Sequence, residues 1–371
     1  MHELSLRALI KTNLFCYGTT RLNIGGTVMS QPEAAQAENT VAVSRLGHVL
    51  RIELNRPKAL NSLTIEMIRS IASALRLAET DTDIAAVLLT GKGERGLCAG
   101  GDIRQLYESA LAKDGRAEIF FTEEYALNAH IARFSKPYIA IMDGITMGGG
   151  IGLSAHGSHR LVTERSKVSM PETKIGFFPD VGATWLLAHA PGEIGTYLGL
   201  LGVTIGAEDA VYANLADMIV ASDAIDEIIT MLATLKPSCT SEQVNRMLAP
   251  YARTAHAALA QDRAEIDHIM TAPTVLEIIS NARASATDVG ARITTTLATR
   301  SPTGLVYTLN LLRAARTCPS LEVCLKHEYQ AATTLIYQHD FQEGVRAVLI
   351  DKHQNPKWHP ATVADAVKTI G

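Results

Sequence analysis

Cysteine is scarce in this chain. Five of 371 residues (Cys16, Cys98, Cys239, Cys318, Cys324) are cysteines, odd in number and without CxxC spacing. That pattern argues against a disulfide scaffold or a structural zinc site and fits a reducing compartment, the cytoplasm. A basic excess is also lacking. The 34 Lys and Arg against 38 Asp and Glu leave a net charge of −4, so nothing points to nucleic acid as a partner. No apolar run approaches the ~18 residues that a membrane span needs, so no membrane partner is expected. Charged residues make up 19% and hydrophobic residues 47%, too apolar a mixture for a disordered chain. The length corresponds to about two domains.

Three segments follow from the patterning. Residues 1–39 read as a disordered leader: Arg7, Lys11 and Arg21 meet few acids, and a polar Gln31–Gln36 stretch follows. If residues 1–28 are instead a cleaved targeting segment, the mitochondrial matrix is the expected compartment. Residues 40–224 alternate strand and helix signals, the mark of an α/β layer architecture. Val41–Leu46 and His48–Leu54 alternate apolar and polar residues around Gly47, a hairpin pattern. Thr64 is placed to cap a helix running to about Glu79. Ile84–Thr90 and Tyr138–Met142 are continuous apolar runs, as in strands buried on both faces. Gly91 to Gly101 reads as one glycine-rich loop. Residues 225–371 carry mainly helical spacing, with helix starts at Ser301-Pro302 and Pro319-Ser320.

Three motifs carry chemistry. Cys98-Ala99-Gly100-Gly101-Asp102 lies between a strand and a helix, where glycines free the backbone and leave amides exposed. Gly148-Gly149-Gly150 opens a short helix at an entropic cost that propensity alone does not justify. Taken singly, each also reads as a tight turn or a close helix–strand contact. Together, one N–H from each loop could meet on a single oxygen as an oxyanion hole. The third motif runs from Met170 to Gly182 and sets Glu172 and Asp180 among Met170, Ile175, Phe177, Phe178 and Val181. A carboxyl in apolar surroundings holds its proton more tightly, which suits an acid, base or nucleophile. Singly, both also read as turn residues after Pro171 and Pro179. Glu123 and Glu124 are neighbours on one helix, so at most one faces a pocket. His130, His156, His159 and His189 show no metal-ligand spacing.

In combination these segments resemble the crotonase (enoyl-CoA hydratase/isomerase) superfamily. The resemblance rests on Asn55-Arg56-Pro57-Lys58-Ala59-Leu60-Asn61, Cys98–Asp102, Gly148–Gly150 and Pro171-Glu172, in the superfamily's order. It implies a crotonase-like spiral of ββα units, here with a C-terminal helical region, that binds acyl-coenzyme A. It also implies that the backbone N–H groups of Gly101 and Gly149 hold the thioester oxygen. Lys58, Ala59, Leu60, Ala99 and Asp102 would hold coenzyme A, which is part of the substrate, so no separate cofactor and no metal is expected.

The superfamily's hydratases carry a second glutamate two residues after the glycine triplet. Here that position is Gly152, and Asp180 stands where hydratases commonly have a small residue. Glu123-Glu124-Tyr125, the Met170–Gly182 pattern and the tail from Asp340 to Trp358 are similar to members that hydrolyse short β-hydroxyacyl-CoA thioesters. The resemblance then implies catalytic roles for Glu172 and Asp180, contact of Glu124 with the acyl end, and 3-hydroxyisobutyryl-CoA of valine breakdown as substrate. Glu172 would serve as nucleophile or as general base, and sequence does not choose between them. Two rival readings stand beside it: an enoyl-CoA isomerase or hydratase, and a noncatalytic RNA-binding member. A homo-oligomer is left open.

Overall fold

In the computed structural model, residues 39–254 and 256–370 are described. The leader expected at 1–39 lies outside them except for Asn39. Among the described residues, nine strands form two sheets. The larger has the order β1 (Val41–Leu46), β2 (Val49–Leu54), β3 (Ala86–Gly91), β5 (Tyr138–Met142), β7 (His159–Thr163), β9 (Met218–Val220), and the smaller has β4 (Gly96–Cys98), β6 (Ile145–Met147), β8 (Lys167–Ser169). Among the described strands only β1 and β2 pair antiparallel, with Val41 opposite Leu54; every other strand-to-strand pairing is parallel. Gly47 makes the hairpin turn at φ +59°, a conformation glycine enters without a Cβ clash.

Helices connect the strands. Thr64 accepts from Met67 N at the start of α1 (Ile65–Thr80), as its sequence position predicts. Next come α2 (Ile103–Ala112) and α3 (Arg116–Ala132), and α4 (Gly149–Ser154) follows β6. The chain thus repeats one move: a strand in the large sheet, a short strand in the small sheet, then a helix. This is the spiral of ββα units that the resemblance implies. After β9 only helices follow among the described residues.

The inner strands β3 and β5 are buried on both faces, which explains their unbroken apolar runs. In β3, Val87 and Leu89 join the main core beneath α1 and α3. Ala86 and Leu88 point the other way, against Ile228, Leu232, Val244 and Leu248 of helices Ile225–Leu232 and Ser241–Leu248. The expected continuous loop from Gly91 to Gly101 is corrected, since it contains β4. Strands of three residues such as β4 and β6 are too short to show a period, and only their neighbours in the sheet define them.

Candidate active site

The small sheet decides where the motifs go. β4, β6 and β8 are parallel neighbours, so the loops leaving their carboxyl ends emerge side by side, the usual ligand-binding edge of parallel sheets. Gly101 lies three residues past Cys98, Gly149 two past Met147 and Glu172 three past Ser169. All three line one cavity of about 180 Å³ together with Ala99, Glu124 and Asp180. Phe120, Phe121, Phe177 and Phe341 supply apolar wall; Phe177 stacks on Phe121 at 5.9 Å and lies 5.6 Å from Phe341.

The space around the glycines shows how close the loops come. A Cβ on Gly149 would stand 2.5 Å from Glu124 Oε1 and 3.3 Å from Gly101 N, and one on Gly148 would stand 3.0 Å from Glu172 Oε1. The two loops and both glutamates therefore meet within van der Waals range. Among the described residues, Gly101 N and Gly149 N have no backbone acceptor. Two amide donors so left at a cavity wall are free to serve a ligand oxygen.

Three carboxyl groups share this space. Glu124, Glu172 and Asp180 are 2%, 8% and 7% exposed. Burial, with Asp180 nearby, holds the carboxyl of Glu124 well above the usual range. Burial, then the charge of Asp180, does the same to Glu172. Asp180 is pushed up to about 6 by burial, against the pull of the Tyr125 hydroxyl, which donates to Oδ2 at 2.7 Å. Glu124 Oε1 and Glu172 Oε2 are buried with no hydrogen-bond partner among the described residues. Such orphaned acceptors are costly in an apolar cavity and mark it as built for a polar ligand. The pair Glu123-Glu124 divides as helix geometry requires: Glu123 faces outward and pairs with Arg69 at 2.7 Å, while Glu124 faces in.

The position that hydratases fill with glutamate is sterically closed. A Cβ on Gly152 would lie 2.7 Å from both Asn128 Nδ2 and Val181 Cβ.

Lys58, Ala59, Leu60 and Asp102 do not line the cavity. Lys58 and Ala59 are exposed on the loop before α1, and that loop is zipped to the amide-bearing one: Ala99 N donates to Leu60 O (3.0 Å), Leu63 N to Gly100 O (2.8 Å) and Asp102 N to Leu63 O (2.8 Å). Asp102 also engages Arg56 at 3.1 Å. No group of three or more His, Cys, Asp or Glu is spaced to hold a metal ion among the described residues.

The C-terminal helices complete the site, which sequence reasoning did not foresee. Helix His339–Val345 lays the Asp340 carbonyl against Gly176, where a Cβ would meet it at 2.1 Å, and brings Phe341 to the cavity, while the turn Arg346–Ile350 that follows brings Val348 and Leu349. Glu328, wholly buried on helix Leu321–Leu335, accepts from Gly182 N at 2.7 Å and Thr184 N at 3.0 Å. Burial pushes its carboxyl up to about 8 against those bonds. Lys174 also lines the cavity. The tail motif at Asp340–Ala347 was a signal for Phe341; no local pattern marks Glu328.

The model of the enoyl-CoA hydratase/isomerase family matches residues 49–370. Among curated proteins, the mitochondrial 3-hydroxyisobutyryl-CoA hydrolase of Danio rerio is 39% identical over 347 residues, covering 92% of this chain and 89% of that one. Its Xenopus tropicalis counterpart is 42% identical over 316 residues, covering 83% and 81%. Among solved structures, a carnitinyl-CoA dehydratase from Mycobacterium thermoresistibile matches with a TM-score of 0.83 at 44% identity, over 88% of this chain and 94% of that one. An enoyl-CoA hydratase from Rhodobacter sphaeroides 2.4.1 matches at 0.80 and 36%, with the same coverage.

Proposed function

The chain belongs to the enoyl-CoA hydratase/isomerase family, and from that premise we propose that it hydrolyses 3-hydroxyisobutyryl-CoA to 3-hydroxyisobutyrate and free coenzyme A, a step of valine breakdown. The observation that carries the reading is the meeting of Glu172 and Asp180 with the unpaired amides of Gly101 and Gly149 in one small cavity. Its volume of about 180 Å³ is below the roughly 300–1,000 Å³ of sites for drug-sized ligands and suits a short acyl group.

The thioester oxygen accepts from the two amides, which stabilise the negative charge that grows on it as the carbonyl carbon turns tetrahedral. Glu124, with an orphaned oxygen, meets the hydroxyl at the acyl end. Three acids this close do not all ionise, so protons are unevenly shared between them. Burial opposes the ionisation of both groups, so Glu172 is ionised by an uphill shift of its proton to the neighbouring Asp180 carboxylate, which hands that proton on to the departing thiolate. Ionised Glu172 then drives the addition. As nucleophile it forms a mixed anhydride, the C–S bond breaks, and water cleaves the anhydride. As general base it takes a proton from the attacking water instead. Coenzyme A extends over the loop at Lys58, Ala59 and Leu60, with Ala99 and Asp102 at the entrance.

The closed position at Gly152 removes one of two acid–base groups that addition of water to a C=C bond uses. Free-thiol release from 3-hydroxyisobutyryl-CoA tests the reading, with Glu172→Ala expected to abolish it. Loss of enoyl absorbance without thiol release overturns it in favour of hydratase or isomerase chemistry. Rapid quench separates the two routes: an acylated peptide containing Glu172 marks the anhydride. We read the compartment as the mitochondrial matrix if residues 1–28 are cleaved and as the cytoplasm otherwise, which fractionation with N-terminal sequencing decides.

A further inference from the structure

Asp180 enters the cavity from a turn that is held in an unfavourable conformation. Val181, the next residue, has φ +56°, in the left-handed region where a β-branched residue is a true outlier. Such strain persists only where the surroundings over-determine it. Here the turn is tied at several points. Ala183 N donates to Asp180 O at 2.8 Å. His156 Nε2 lies 2.8 Å from Val181 O; a carbonyl only accepts, so this nitrogen carries the hydrogen. Gly182 N donates to Glu328 Oε2 at 2.7 Å, and Thr184 N (3.0 Å) and the Thr184 hydroxyl donate to Oε1. Glu328 is fully buried and lies about 145 residues away in sequence; among the described residues no Lys or Arg acts on it. Both oxygens of its carboxyl are engaged by this turn.

We propose that Glu328 is a positioning residue for the reaction: by gathering the amides of Gly182 and Thr184 it holds Val181 left-handed and so aims Asp180 into the cavity. The proposal rests on the hydrolase reading for Asp180's part in the chemistry. It predicts a division that plain packing does not. Glutamine at 328 keeps the shape but turns an NH₂ group toward one of the donors. The turn relaxes, Asp180 swings away, and kcat falls, whereas the amides and the coenzyme A loop stay intact and KM holds.

The experiment is thiol release from 3-hydroxyisobutyryl-CoA by wild type, E328Q, V181G and E328Q/V181G, with kcat and KM separated. Expected are a kcat loss of tenfold or more in E328Q, a KM within threefold of wild type, and at least threefold recovery of kcat in E328Q/V181G over E328Q, because glycine takes the left-handed conformation without strain. A kcat within twofold of wild type overturns the proposal. So does a loss that V181G leaves untouched, which would make Glu328 a packing residue only. If E328Q does not fold, Thr184→Val with and without V181G reads the same recovery on a milder loss. A wild type that releases no thiol overturns the hydrolase reading and this inference with it, whereas an active wild type with an equally active E328Q overturns the inference alone.

Discussion

Glu193 and Glu172 are buried to nearly the same degree, 6% and 8% exposed, and the protein treats them in opposite ways. Glu193 sits just before helix Ile194–Leu201. Arg316 grips both its oxygens at 2.8 and 2.7 Å, Arg313 approaches at 2.8 Å, and the Thr196 hydroxyl donates at 2.6 Å. Burial pushes its carboxyl up, but Arg316, Thr196 and Arg313 together outweigh burial and hold it below the ordinary range. Glu172 has burial without the cations. Among the described residues no Lys or Arg pairs with Glu172, Asp180 or Glu124, and the neighbouring charges are other carboxyls. Burial alone does not make a reactive acid; burial without a counter-charge does. The first region is a clamp between helices, and the second is a group of carboxyls beside two amides whose burial no cation offsets.

Several changes would break or sharpen that contrast. The largest effect is on turnover: Glu172→Gln is expected to lower kcat for thiol release by ~10²–10⁴-fold, the usual worth of a positioned acid or base, while leaving the melting temperature within a degree or two, since glutamine keeps the shape of a carboxyl whose burial opposes its ionisation. A wild-type rate in this variant would dissolve the distinction.

Asp180→Asn comes next, and its effect depends on pH. The folded state raises this carboxyl from an ordinary 3.8 to about 6, so the folded chain binds the proton more tightly than the unfolded one. That stabilising proton is fully in place below about pH 4 and is lost as pH rises through 6. The asparagine variant is therefore expected to gain stability over wild type at pH 8, by up to roughly 3 kcal/mol, and to gain nothing near pH 4. Urea titrations at the two pH values measure it. Glu193→Ala should do the reverse of a gain. It strands two guanidinium groups whose side chains are 23% and 33% exposed, and after allowance for solvent screening it should destabilise by ~2 kcal/mol with KM unchanged. The smallest effect is expected from Arg316→Lys, which keeps the charge and loses the two-pronged geometry. A loss of about 1 kcal/mol in the same titration would separate fork geometry from charge alone.

The parts of the site that were legible in sequence are those with local causes. The Thr64 cap, the Gly47 hairpin and the apolar runs of β3 and β5 follow from hydrogen-bonding groups and periods within a few residues. So does the Ser301 cap, whose hydroxyl accepts from Gly304 N at 2.9 Å. Gly149 was legible as unusual, though not why: only the fold brings Glu124 Oε1 to where its Cβ would stand. Glu124 was one of two adjacent acids, and the choice between them waited on which face of α3 packs against α4. Gly152 was legible as a missing carboxylate, and the structure adds that Asn128 and Val181 have taken the room. β8 was legible as a short strand at Lys167–Met170, but β4 and β6 carry no readable period, and the alignment of all three is what gathers the loops.

By itself the sequence determined the secondary elements whose signals lie within one turn or one strand, the chemical inventory of glycine loops and carboxyls, and the resemblance that orders them. Tertiary structure alone decided which of those carboxyls are buried together without a cation, and that a glutamate near the C-terminus holds the turn beside one of them. The reason is physical: backbone propensity and capping act over a few residues, whereas desolvation and the pairing of charge depend on what the rest of the chain brings near.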